Sequence, residues 1–343
     1  MSNVFLDACA GRPTPHTPIW LNRQAGRYMP EYHQVKGKLP SLDFFKDPER
    51  AAQATLDAQR ILGVDAAIMF ADLLPILEPM GLQLEYVAGE GPLFHNPLRS
   101  EADVDALRVA PAEEATPYIA DTVKNILSGL PPEIALIGFA GAPFTLASYA
   151  IEGKGSRNYV FCKRMMYEQP ELWDRLLDKL VDQVASYVQL QIDSGVQAVQ
   201  LFDSWVGCLS VRDFDHYVLP HLTRLMDKLR GRVPLIYFGT GNGHLLDSAM
   251  KASPDVMALD WRVPLGATWR RLEVGAVQGN LDPIVLCADR ATVETQARAV
   301  LDEAAGRPGH IFNLGHGIIP ETPVDNVKAL VDFVHEQSAR RPA

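Results

Sequence analysis

The sequence predicts an α/β fold, a single (β/α)8 TIM barrel spanning residues 1–343 with a hairpin inserted between its second and third strands. Three observations carry this. Eight short apolar or β-branched runs recur along the chain, each ends in polar or glycine residues, and amphipathic helical patterns separate them. Runs that are apolar at nearly every position suit strands buried on both faces, as in a parallel sheet covered by helices. A doubly wound sheet explains the same alternation, so the count of eight runs in 343 residues decides for the barrel.

In order, the expected strands are TPIWL (17–21), AAIMF (66–70), IALIGF (134–139), VQAVQLF (196–202), PLIYF (234–238), VMAL (256–259), GAVQG (275–279) and HIFNL (310–314). Segments such as PELWDRLLDKLVDQVASYVQLQIDSG (170–195) supply the helices between them. Between the second and third runs, LQLEYVAGEGPLFHNPL (82–98) has apolar flanks around glycines and reads as the hairpin. No linker-like tract, charge run or internal repeat divides the chain, so one domain is expected.

The formal net charge of −10 and pI near 5.4 argue against general affinity for nucleic acid or anionic membrane, which require a broad cationic surface. Any anion binding must be local. Four dispersed cysteines with no C-x-x-C pair signal neither a disulfide framework nor a cysteine zinc site, and fit a reducing compartment. MSNVFLDACAGRPTPHTP at the start does not resemble a signal peptide, and no apolar stretch approaches a membrane span. A soluble, cytoplasmic chain is the expectation.

Barrels carry chemistry on the loops that follow the C-terminal ends of their strands. Those loops hold Arg23 and Arg27; Asp72; Tyr149 within GAPFTLASYAIEG; Asp203 and Ser204; Asp260 and Trp261; Asn280 and Asp282; and His316 within NLGHGIIP. Each has an ordinary structural reading. Asp72 suits the N-cap of a helix beginning LLPILEPM, Ser204 and Asp260 suit caps, and Tyr149 suits a core aromatic. Arg23 and Arg27, four apart, suit one face of a surface helical turn, paired with Glu31. His316 fits a packed core less well, because its flanking glycines let backbone or ligand approach closely. Around a pocket, the two planar guanidiniums instead offer bidentate grips on carboxylates or phosphates.

Competing motifs are weak. FGTGNGH (238–244) follows an expected strand but has His244 where a dinucleotide fingerprint needs its third glycine. The nine histidines include no H-x-C or H-E-x-x-H, and G-x-S-x-G is absent.

In order along nearly the whole chain, RQAGRYMPEY, FADLL, GAPFTLASYAIEG, QLFDSWVG, LDW, QGNLDP and NLGHGI closely resemble the motifs of the uroporphyrinogen decarboxylase family of haem biosynthesis. The resemblance implies a single (β/α)8 barrel, usually homodimeric, with no metal and no organic cofactor. It implies removal of CO2 from the four acetate side chains of uroporphyrinogen III to give coproporphyrinogen III. It also implies substrate binding by Arg23, Gln24, Ala25, Gly26, Arg27, Asp72, Tyr149, Phe202, Ser204 and His316, with Asp72, Arg23 and Arg27 catalytic. Gly26 would let backbone approach the ligand and Pro30 would end the arginine-bearing turn. Met29, where the family often has leucine, is a mild departure. Two alternatives stand beside it. A zinc-dependent, corrinoid-linked methyltransferase of the same superfamily is disfavoured by the missing H-x-C, and a non-catalytic tetrapyrrole-binding barrel by the presence of Asp72 with both arginines.

Overall fold

Strand β4 (Ala135–Gly141) is buried at every position, as expected of a strand with helices outside it and packed side chains within. It lies in a parallel sheet with β1 (Ala66–Ile68), β5 (Ala198–Asp203), β6 (Leu235–Gly239), β7 (Val256–Ala258), β8 (Ala276–Gln278) and β9 (His310–Ile311). The sheet order is β1-β4-β5-β6-β7-β8-β9, so strands adjacent in sequence are adjacent in space. Between β1 and β4 in sequence, β2 (Leu84–Val87) and β3 (Gly91–Phe94) form a separate antiparallel pair. Gly89 and Gly91, with φ of 81° and 91°, permit the turn between them. The computed structural model describes residues 3–87 and 89–340.

The sheet therefore has seven strands, not the eight expected. Run 17–21 forms no ladder and meets the sheet through one parallel bridge, Ile19 to Phe312. Its proline supplies a reason: Pro18 has no N–H to donate, although its carbonyl accepts from Phe312 N at 2.8 Å. Trp20 N donates to Phe312 O (3.3 Å) on one side, and Asp65 N donates to Ile19 O (2.8 Å) just before β1 on the other. HIFNL is likewise cut to two strand residues plus bridges at Phe312 and Leu314.

A chain of buried amides ties run 17–21 to the sheet interior. Trp20 Nε1 donates to Gln278 Oε1 (3.0 Å), Gln278 Nε2 to Gln200 Oε1 (2.8 Å), and Gln200 Nε2 to Asn22 Oδ1 (3.0 Å). Asn22 N then donates to Asn313 Oδ1 at 3.0 Å. Each of these four donors finds an acceptor, which holds the buried amides in one arrangement, while Asn313 Nδ2 at the end of the chain is left without a partner among the described residues.

The long helix Pro170–Ser194 opens with proline at its first position and turns its Leu, Val and Trp stripe inward. Gly195, in the left-handed region at φ 118°, ends it. Gln191 on this helix completes the edge of β4 beyond the end of β1. Its Oε1 accepts from Phe139 N (2.8 Å) and its Nε2 donates to Phe139 O (2.9 Å). Gly138 makes this possible, because a Cβ there would collide with Gln191 Oε1. No helix among the described residues is long and apolar enough to cross a membrane.

Candidate active site

Residues from the C-terminal ends of the strands line a cavity of about 910 Å3, near the upper end of the range for small-molecule sites. Its floor is aromatic. Phe139, Phe202 and Phe238 come from the adjacent strands β4, β5 and β6 and meet edge to face, with ring centroids 5.7 and 5.9 Å apart.

Arg23, Ala25, Gly26 and Arg27 line the cavity from the segment after run 17–21. This segment is irregular, not a helical turn: Arg23 is in the left-handed region at φ 61°. Pro30 does not simply stop the turn but opens the next helix, Pro30–Lys36, at its first position. Both arginines are exposed, and neither pairs with Glu31 or any other carboxylate among the described residues. Gln24 is placed differently. Its side chain is buried, accepting from Leu21 N (3.1 Å) and donating to Ala66 O (3.2 Å), so it fixes the segment's base. Tyr28 does similar work, its hydroxyl donating to Gln24 O at 2.6 Å.

Asp72 faces the arginines from the loop after β1. The helix expected at LLPILEPM is only a 3-10 turn, Pro75–Leu77, because Pro75 and Pro79 interrupt an α-helix. Asp72 Oδ1 accepts from Leu74 N (3.1 Å), steadying that turn, and from the Tyr86 hydroxyl at 2.5 Å. Burial pushes the Asp72 carboxyl above its ordinary range, opposed by the Tyr86 hydrogen bond, the Leu74 and Leu73 amides and the Arg23 charge.

Tyr149 lies on the helix Pro143–Glu152, which follows β4, and packs edge to face on Trp205 at 5.7 Å. Burial and the Asp72 charge push its phenol up to about 12, so it is a hydrogen-bond donor at neutral pH. Ser204 lines the cavity just past β5. His316 lies edge to face on Trp261 at 6.1 Å, and burial together with the Arg23 charge holds its imidazole below the ordinary range. The glycines beside it admit neighbours: a Cβ on Gly317 would strike the Arg23 stem, and one on Gly315 the Trp261 backbone.

Apart from Gln24, all the expected substrate contacts thus line one cavity. Other strand-end polar residues serve the scaffold. Asp203 is buried beneath the cavity, accepting from Thr145 Oγ1 (2.8 Å) and the Tyr237 hydroxyl (2.9 Å), and burial pushes it up to about 6. Asp260 is buried and holds Gly241 N and the Arg262 side chain. Asn280 donates to the Asp260 and Val263 carbonyls, and Asp282 caps the turn Pro283–Cys287. In FGTGNGH, His244 donates to Leu209 O at 2.7 Å and no long helix begins there.

The lining residues that sequence reasoning missed include two that bear directly on charge. Lys36 adds a third cation, and Tyr86 reaches Asp72 from the hairpin. Period-2 parity within Leu84–Val87, with Leu84 buried, marks Tyr86 as sharing its face. The fixed charges lining the cavity are Arg23, Arg27 and Lys36 against Asp72 and Glu90, a local positive excess on a chain of net charge −10.

Among solved structures, a methyltransferase from Methanosarcina mazei has the same fold, with a TM-score of 0.82 at 18% identity over 97% of each chain. A B12-independent methionine synthase from a Shewanella species superposes with a TM-score of 0.57 at 10% identity over 88% of this chain and 91% of that one. Relatives named uroporphyrinogen decarboxylase are much nearer in sequence. The protein from Sorangium cellulosum is 51% identical, covering 98% of this chain and 96% of the relative. The one from Geobacter metallireducens is 50% identical over 99% and 100%. The sequence model of the family described as uroporphyrinogen decarboxylase (URO-D) matches residues 2–337. The chain belongs to the uroporphyrinogen decarboxylase family.

Proposed function

We propose that this cavity binds uroporphyrinogen III and removes CO2 from its four acetate side chains, giving coproporphyrinogen III without metal or organic cofactor. Family membership supports the reaction. The observation that carries the site is Asp72, held by Tyr86 and sharing the cavity with two guanidiniums that have no carboxylate partner among the described residues, above a floor of three phenylalanines. A macrocycle of four pyrroles bearing eight carboxylates needs this combination of apolar floor and local cation.

A pyrrole acetate cannot lose CO2 directly, because the electron pair left on the methylene carbon has nowhere to go. Protonating the adjacent ring carbon makes the ring a cationic electron sink. The bond to the carboxylate then breaks, CO2 leaves, and its electron pair moves into the ring. A proton added to the former methylene carbon, with loss of the one on the ring carbon, restores the pyrrole and leaves a methyl group. Each cycle consumes one proton and releases one CO2.

Asp72 acts in its ionised form, accepting hydrogen bonds from pyrrole N–H groups and stabilising the cationic ring. Arg23 and Arg27 hold substrate carboxylates, and protonated Tyr149 and Ser204 donate hydrogen bonds to them. His316, kept neutral by burial and Arg23, is a hydrogen-bonding partner and not a reservoir of protons. Proton delivery then falls to a bound water or a guanidinium; arginine's pKa, above about 12, makes it a weak acid.

The same reading completes run 17–21 as the eighth strand of a closed barrel, its hydrogen bonds reaching Phe312 on one side and Asp65 on the other. It takes a homodimer in the cytoplasm as the working form.

The test is anaerobic incubation of the purified protein with uroporphyrinogen III. Coproporphyrinogen is expected, with intermediates of seven, six and five carboxylates. Full activity after chelator treatment separates this from the zinc methyltransferase reading. Tight binding of the tetrapyrrole with no loss of CO2 would leave a binding barrel instead.

A further inference from the structure

At the opposite end of the sheet, away from the cavity, His16, Asp65 and His335 converge. His16 Nε2 lies 3.0 Å from Asp65 Oδ1, and His335 Nε2 lies 2.8 Å from Asp65 Oδ2. The two imidazoles meet edge to face with centroids 4.6 Å apart. One ligand atom from each residue lies within 4.8 Å of the others. None of the three lines the cavity.

We propose that these residues form a site for a divalent transition metal of the zinc class, which clasps the C-terminal helix to the start of the sheet. Two imidazole nitrogens and one carboxylate oxygen are the donor set of three-ligand sites that keep a position open for water. Around a tetrahedral ion with bonds near 2.0–2.1 Å, ligand atoms sit about 3.3 Å apart. The present spread of 4.8 Å closes onto that geometry by side-chain movements of about 1.5 Å.

Electrostatics favours the same occupant. The two rings are in edge contact and share one carboxylate, Asp65, so a single cation placed among them would meet all three side chains at once. Neutral imidazoles and an ionised carboxylate are the forms that ligate such an ion. The main chain fixes the cluster from three directions. Ile19 N donates to Asp65 Oδ2 (2.7 Å), Thr17 N to Ser338 Oγ (2.9 Å), and Arg340 N to Pro15 O (2.7 Å). His335 lies on the helix Val324–Ser338, so an ion here joins that helix to the run that reaches the sheet through a single bridge.

The test uses the full chain, stripped with chelator and titrated with Co2+ as a spectroscopic probe. About one equivalent is expected to bind with visible ligand-field bands, and Zn2+ is expected to displace it and raise Tm. His16→Gln and His335→Gln should each weaken binding by about tenfold or more, abolish the Zn2+-induced rise in Tm and leave decarboxylation unchanged. Co2+ should also broaden the ring signals of His16 and His335 selectively in 1H–15N spectra of the wild type, a readout that needs no variant to fold. Wild type that binds Co2+ no tighter than the double variant, or broadening spread over the other histidines, overturns the proposal.

Discussion

The two ends of the parallel sheet treat charge in opposite ways. At the C-terminal ends, Arg23 and Arg27 line the cavity without an ion pair to any carboxylate among the described residues, while burial raises the pKa of Asp72. At the N-terminal ends, Asp65 takes hydrogen bonds from His16, His335 and the Ile19 amide, and they hold it down to about 2 despite its burial. A carboxylate stabilised by its own protein contributes to folding; one left with a raised pKa costs stability and is kept for a ligand. Substitutions at the cavity should therefore cost activity and not stability, and those at the other end the reverse.

The largest effect is expected from Asp72→Asn. If Asp72 stabilises the cationic ring as proposed, the change removes that charge while nearly preserving shape, and turnover should fall by on the order of 100-fold. Because burial disfavours the ionised Asp72 in the folded chain, Tm should stay constant or rise. Normal turnover by this variant removes Asp72 from the chemistry; a large fall in Tm breaks the contrast between the two ends.

Asp65→Asn should do the opposite, costing stability and leaving the activity of folded molecules intact. Lowering its pKa from about 3.9 in the unfolded chain to about 2 is worth roughly 2 to 3 kcal/mol at neutral pH. The sign follows from the direction: this contribution is present above pH 4 or so and is lost as pH falls toward 2. For His335, whose pKa is raised mainly by Asp65 against the effect of burial, the contribution is full below about pH 6.5 and fades as pH rises through the folded value. Chemical denaturation of wild type and variant across pH should converge at the acid end; parallel curves would mean that the asparagine change acts through packing and not charge.

Arg27→Ala ranks next, with kcat/KM expected to fall by about tenfold and Tm to hold, since the guanidinium has no carboxylate partner to lose among the described residues. Unchanged kcat and KM would make Arg27 an ordinary surface residue.

Much of this arrangement is legible in the sequence for a simple reason. Strands buried on both faces must be apolar throughout, so the runs at 134–139, 196–202 and 234–238 stand out, and the cavity is lined from their C-terminal ends. What escapes notice depends on pairing. Run 17–21 looks like its fellows, but Pro18 lacks the N–H that a ladder requires. Gln200 and Gln278 look like blemishes in apolar strands until they are seen as links between Trp20 and Asn22, with Gln278 Nε2 donating to Gln200 Oε1. Asp72 could be read as a cap or as a catalyst, and it accepts from the Leu74 amide as a cap would while also lining the cavity. Gln24 lies inside the most family-like motif, yet its side chain serves the backbone of residues 21 and 66.

The smallest effect tests how the cavity tolerates a buried carboxylate at all. Tyr86 arrives from the hairpin, outside the parallel sheet, and its hydroxyl is the foremost influence opposing the effect of burial on Asp72. Tyr86→Phe removes that donor without changing the ring, so the Asp72 pKa should rise further. On the proposal that the ionised form acts, the acid limb of the kcat profile should move to higher pH. Well above that limb kcat should stay within about threefold of wild type, because the charge itself remains. If instead kcat falls uniformly at all pH values, Tyr86 acts on the geometry of bound substrate. If nothing changes, the Leu73 and Leu74 amides and Arg23 suffice to keep Asp72 charged, and the cavity sustains its unpaired charges without help from the hairpin.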